Sequence, residues 1–138
     1  MITNRLRNIF ALSIPLFIAH GLEELLTGFY NVDSQVELWF GNLNSLPTSQ
    51  ATFILFQVMI WLMLVISYLL LLGPKWQLRL MFIPGIVFIY ELHHLYKAIS
   101  LGVYYPGLIT AVALYITGFF FWKELIKLNY GQNFDRRR

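Results

Sequence analysis

The sequence predicts an all-α fold, an integral membrane four-helix bundle in which residues 1–138 form a single membrane domain. Three observations lead there. Apolar residues make up 58% of the 138-residue chain and charged residues 12%, where a soluble domain averages about half and about a quarter. Four apolar segments, at 9–30, 51–72, 78–99 and 107–128, each supply about the twenty residues that a helix needs to cross a hydrocarbon core of roughly 30 Å. Basic residues collect at the ends of those segments instead of forming a stripe along one.

The first segment follows Arg5 and Arg7 and resembles the start of a secretory signal. Phe17 stands where a cleavage site before His20 needs a small residue, and the apolar character continues to Tyr30, so a retained helix is expected. The second segment has no ionisable group from Ala51 to Leu72. The third carries Pro84, where a kink is expected because proline removes a backbone donor and clashes with the preceding turn. Pro47, Gly73-Pro74 and Pro106-Gly107 fall between segments, where breakers belong. The long linker from Asn31 to Gln50 carries Val36, Leu38, Trp39 and Phe40, which suit an interfacial stretch.

Topology follows from the basic residues. Arg5, Arg7, Lys75, Arg79, Lys123, Lys127 and the Arg136–Arg138 tail fall on one side, and Lys97 alone on the other. Both termini are expected in the cytoplasm, with the chain in the plasma or cytoplasmic membrane. The net charge of +3 then faces anionic lipid, and no nucleic-acid partner is expected. With no cysteine in the chain, thiolate catalysis, disulfides and Cys-ligated metals are excluded.

Ionisable residues inside such segments carry the functional signal. His20, Glu23 and Glu24 lie in the first and Glu91, His93 and His94 in the third. Residues three and four apart share a helix face. The His20/Glu24 spacing is that of the zinc ligands in H-E-x-x-H, and Glu91/His94 has the Glu-x-x-His spacing of di-iron bundles. At about 1.5 Å rise per residue, Glu23, Glu24, His94 and Glu91 fall roughly 9–13 Å below the outer boundary. His20 comes out near 15 Å, Gln57 near 10 Å and Thr110 near 7 Å by the same count. One outer-half layer therefore gathers polar groups from all four segments.

An ionisable group at helix centre costs on the order of 3 kcal/mol, so this layer needs pairing, protonation or a metal. The bland alternative is that protonated glutamates bond to His and Gln as interhelical glue. The metal reading takes His20, Glu23, Glu24, Glu91 and His94 as ligands, with zinc first and iron, mono- or dinuclear, second. Glu23 or Glu91 then serves as general base. Gln57, Thr110 and Tyr104 orient the substrate. His93 points elsewhere, Lys97 snorkels outward, and Trp39, Trp61, Trp76 and Trp122 form interfacial and lipid-facing packing.

The pentad His20-Gly21-Leu22-Glu23-Glu24, His94 ten residues before Tyr104-Tyr105-Pro106-Gly107, and the continuation Leu108-Ile109-Thr110-Ala111 resemble the HXXEE family of small membrane proteins. The resemblance covers nearly the whole chain and implies a metal site without supplying a reaction. Tyr90 and Glu91 stand where the family pattern leads one to expect an asparagine one turn before the histidine. The function expected is a metal-dependent membrane enzyme, hydrolytic or oxidative, acting on a hydrophobic small molecule dissolved in the bilayer. The alternatives are a non-catalytic subunit of a membrane complex and a proton or cation transporter or sensor. A homo-oligomer is compatible with each.

Overall fold

A computed structural model describes residues 2–135, with side chains described for 2–129; the expected Arg136–Arg138 tail lies outside them. The described chain is helical, with eight elements and no strand. These are α1 (Asn4–Thr27), α2 (Phe29–Val32), α3 (Ser34–Asn44), α4 (Thr48–Leu71), α5 (Pro74–Leu80), α6 (Phe82–Tyr90), α7 (Leu92–Leu101) and α8 (Leu108–Asp135). Among the described residues, four stretches are long and apolar enough to cross a membrane: Asn4–Thr27, Thr48–Leu71, Pro74–Leu101 and Leu108–Asn129.

Local chemistry sets the element ends. The Thr3 hydroxyl accepts the Leu6 N–H at 3.2 Å and starts α1, satisfying one of the donors every helix leaves open there. Gly28, at φ 73°, ends α1 in the left-handed region and returns its N–H to the Glu24 carbonyl. Pro74 opens α5 at a position where its missing N–H costs nothing. The interruption between α5 and α6 falls at Met81, three residues ahead of Pro84. The expected kink thus appears one turn upstream, where proline deprives the preceding turn of a donor.

α8 is the hub. α1, α6 and α7 all pack on it, and the buried cluster of Leu6, Leu78, Phe88, Leu114, Phe121 and Leu125 fills the space between them. Small residues let α6 and α8 approach closely. A Cβ on Gly118 would stand 2.9 Å from the Phe88 ring, and one on Gly85 would stand 2.9 Å from the Trp122 ring. The Trp122 indole N–H donates to the Gly85 carbonyl at 2.9 Å. Trp122, expected in a lipid-facing belt, is therefore an α6–α8 packing residue.

α4 differs from the other long helices. It packs against its chain neighbours α3 and α5 and contains no buried residue. Within one chain the expected four-helix bundle is thus three membrane-length helices around a shared core, with the fourth at its margin. Large apolar side chains are exposed along all four, from Leu12 and Ile18 to Ile116 and Phe119. Ser13, His20, Glu91, His94, Thr117 and Glu124 are buried. Apolar surface outside, with these polar groups sheltered inside, suits a hydrocarbon solvent and not water.

Candidate metal centre

His20 faces inward from about two turns before the end of α1 and is 3% exposed. Glu24 lies one turn further on, so its carboxylate hangs over the same face. From the other side comes His94, in the first turn of α7 and 1% exposed. Glu91 sits at the joint between α6 and α7.

That joint has an identifiable cause. The Tyr115 hydroxyl of α8 donates to the Glu91 carbonyl and accepts the Leu95 N–H at 3.3 Å. Glu91 and Leu95 are the pair that an uninterrupted helix would bond directly. A side chain inserted into the ladder in this way bends a helix. The His94 N–H closes instead on the Glu91 carbonyl at 3.2 Å, the tighter three-residue step. The bend presents the Glu91 carboxylate to α1.

The two histidines and two carboxylates converge. His20 Nε2 lies 2.8 Å from Glu91 Oε2 and 3.6 Å from Glu24 Oε1. His94 Nε2 lies 3.2 Å from each of the same two oxygens. The imidazole rings meet edge to face with centroids 4.7 Å apart. One ligand atom from each residue can be chosen so that all four lie within 4.8 Å of one another. Ligand atoms about 2.0–2.2 Å from a single ion stand about 3.0–3.5 Å apart, close to the spacings found here.

The far side of each ring fixes its tautomer. His94 Nδ1 lies 2.6 Å from the Pro106 carbonyl, which can only accept, so Nδ1 carries the proton. His20 Nδ1 lies 2.8 Å from the Thr110 hydroxyl. That hydroxyl donates to Glu23 Oε2 at 2.5 Å, so His20 Nδ1–H must be the donor to it. With each ring neutral, both Nε2 lone pairs point at carboxylate oxygens. Four such acceptors facing one another are satisfied by a shared cation or by protons on the rings, and a ring N–H tied to a carbonyl or carboxylate relay is the usual support for a metal-bound histidine. The residues fit a metal. Gly107, at φ 83°, backs onto this pair: a Cβ there would stand 2.8 Å from both His20 Cε1 and His94 Cε1.

The other expected site residues fall elsewhere. Glu23 does not face the cluster. Its carboxylate caps the start of α8, accepting the Thr110 N–H at 2.8 Å, the Ile109 N–H at 3.1 Å, the Thr110 hydroxyl, and the Tyr104 hydroxyl at 2.6 Å. Consecutive helical residues point about 100° apart, so Glu23 and Glu24 cannot both aim at one centre. Thr110 and Tyr104 are committed to Glu23, and Thr110 also to His20, instead of being open to a substrate. Gln57 is half-buried on α4, away from the packing that builds the cluster.

Sequence reasoning missed Asp33, Tyr105 and Tyr115. Asp33, 3% exposed and Tyr105, 4% exposed, lie outside the membrane-length helices with His93 against them. Burial works against the Asp33 charge, but the Tyr105 hydroxyl, the Gln35 N–H and His93 together outweigh it and hold the carboxyl below its ordinary range. Burial, then the bond to Asp33, pushes the Tyr105 hydroxyl well above the usual phenol value. Tyr104 is raised by burial and then by Glu23. The one readable signal for Asp33 was its place directly before Ser34-Gln35, as an N-cap of α3.

An all-helical protein with membrane-length apolar helices and a buried two-histidine, two-glutamate cluster is the class that fold and site define. The chain belongs to the family described as proteins of unknown function with the HXXEE motif, whose pattern matches residues 11–121. In this chain the named residues are His20, Glu23 and Glu24. No curated protein and no solved structure matches it.

Proposed function

We propose that this protein is a membrane-embedded enzyme that uses one divalent transition-metal ion, held by His20, Glu24, Glu91 and His94, to act on a lipid-soluble substrate. The observation that carries this reading is the convergence of two imidazole Nε2 atoms on two carboxylate oxygens, with both Nδ1 atoms committed on the far side. When bound, such an ion polarises a carbonyl or lowers the pKa of a water to about 7. His20 and His94 act as neutral ligands held in place by Thr110 and Pro106. Glu24 commits Oε1 to the histidines and Glu91 commits Oε2, which leaves each a second oxygen to accept a proton from water or substrate. Glu91, the better buried of the two, takes the role of base. Glu23 stays with α8 and has no part in proton transfer.

The substrate class follows from location. The helices expose apolar surface throughout, so a molecule reaching the cluster from the side arrives through lipid. Under the proposed orientation both termini face the cytoplasm and the cluster lies in the outer half of the bilayer. The exposed α4 gives room for a second copy or a membrane partner.

One observation favours a second reading. Four protein ligands close a tetrahedral zinc shell, as in structural sites, whereas a five- or six-coordinate ion keeps positions open. Cobalt-loaded protein in detergent separates the two. The enzyme reading predicts that azide changes the visible spectrum by entering an open position. A spectrum indifferent to saturating azide overturns it in favour of a structural metal in a larger assembly.

A further inference from the structure

The metal centre is covered at one end by two pieces of chain, the α2–α3 segment and the turn from Gly102 to Gly107 that joins α7 to α8. One carboxylate ties them together. Asp33 Oδ1 accepts the Gln35 N–H at 2.7 Å. Its Oδ2 accepts the Tyr105 hydroxyl and the His93 Nε2–H at 3.1 Å. A buried carboxylate with three donors is fully satisfied, but charge burial of this kind is weak evidence of stabilisation alone.

The geometry downstream of Tyr105 suggests another role. The next residue, Pro106, supplies the carbonyl that holds His94 Nδ1. The one after, Gly107, presses on both imidazole rings. Proline has a fixed φ, which removes one of the few backbone rotations between the Tyr105 anchor and the Pro106 carbonyl. The Phe29 ring fills the space between, 5.1 Å from His94 and 6.1 Å from Tyr105 by centroids. Tyr105, Pro106 and Gly107 therefore form a short lever. Asp33 holds one end and His94 rests on the other.

We propose that Asp33 is a positioning residue for the metal centre: by holding the Tyr105 hydroxyl it fixes the Pro106 carbonyl, which keeps the His94 proton on Nδ1 and its Nε2 lone pair turned inward. The inference rests on the metal reading above. It gives a role to a residue outside both the HXXEE pentad and the membrane-length helices, and it makes metal affinity answer to the α2–α3 segment. Tyr90, whose hydroxyl bonds Gln35 in the same segment, supplies a control that leaves the lever untouched.

The test is a cobalt titration, by chelator competition, of full-length protein in detergent. Asp33→Asn and Tyr105→Phe are each expected to weaken binding by about 10–100-fold, the usual cost of losing an outer-shell partner. The double variant loses no more than the weaker-binding single, because both act through one lever. Tyr90→Phe binds like the wild type. Nitrogen-15 NMR of the zinc-loaded protein adds a readout that general loosening would not give. The His94 Nδ1–H signal is lost in Asp33→Asn, while that of His20, held by Thr110, persists. If Asp33→Asn does not fold, Tyr105→Phe, which removes one oxygen, decides alone. Wild-type protein that binds cobalt while Tyr105→Phe binds it equally tightly overturns the positioning role and leaves the metal reading standing. Wild-type protein that binds neither cobalt nor zinc overturns both.

Discussion

Glu23 and Glu24 are neighbours in sequence with different work to do. Glu24 leans over His20 toward His94, and Glu23 receives the first N–H groups of α8. Isosteric variants should separate them. Glu24→Gln replaces a ligand oxygen set with a neutral amide and is expected to lose at least most of its metal. Glu23→Gln keeps full stoichiometry but unfolds more easily, by about 1–2 kcal/mol for a weakened helix cap. Metal content and thermal unfolding of the two proteins check this, and equal metal loss in both contradicts it.

Asp33 gives a pH dependence whose sign follows from its environment. Its folded pKa lies below the ordinary 3.8, so its contribution is complete above that value and is lost as pH falls through the depressed one. Tyr105 works the other way. Its folded value lies above 10.0, so its contribution is complete below pH 10 and is lost as pH rises further. His93 on α7 faces the same carboxylate. The stability difference between wild type and Asp33→Asn, followed by thermal unfolding, is expected to shrink at acid pH; a difference that grows there contradicts the assignment.

At the scale of elements, the long third apolar stretch works because it is broken. Met81 and Glu91 divide it, and the break at Glu91 turns a carboxylate toward α1. Pro84 announces the first break in the sequence. The second comes from Tyr115, thirty-odd positions from the proline and on another helix, so no local pattern could show it. Tyr115→Phe removes the hydroxyl that separates Leu95 N–H from the Glu91 carbonyl. The helix is expected to close its own ladder, carrying Glu91 away from His20 and weakening metal binding by about tenfold or more. Metal titration checks this, and unchanged affinity would show that the bend has another cause.

The same contrast explains what could be read in advance. Helix spacing and depth in a bilayer are one-dimensional, and they grouped His20, Glu24, Glu91 and His94 from the sequence. Direction around each helix axis is not, so Glu23 was placed in the cluster and Gln57 was credited with a role that its helix does not support. Tyr104 and Tyr105 lie in a turn with no periodicity to say which of them is buried. The structure buries Tyr105 against Asp33 and leaves Tyr104 half-exposed on Glu23.

At the scale of the whole molecule, the chain buries its ionisable cluster beside an apolar core and exposes large apolar side chains along its long helices. α1, α6, α7 and α8 build the centre, and α4, the most apolar of the long helices, stands at its margin. A hydrocarbon surround would suit that arrangement and would give the cluster its energetic weight, because uncompensated charges inside a bilayer are costly. The most direct test is elemental analysis of detergent-purified protein, wild type beside a His20→Ala/His94→Ala double variant of matched helicity. The account predicts one transition-metal ion per wild-type chain and none in the double variant. A metal-free wild type, or a double variant that keeps its full complement, would contradict it.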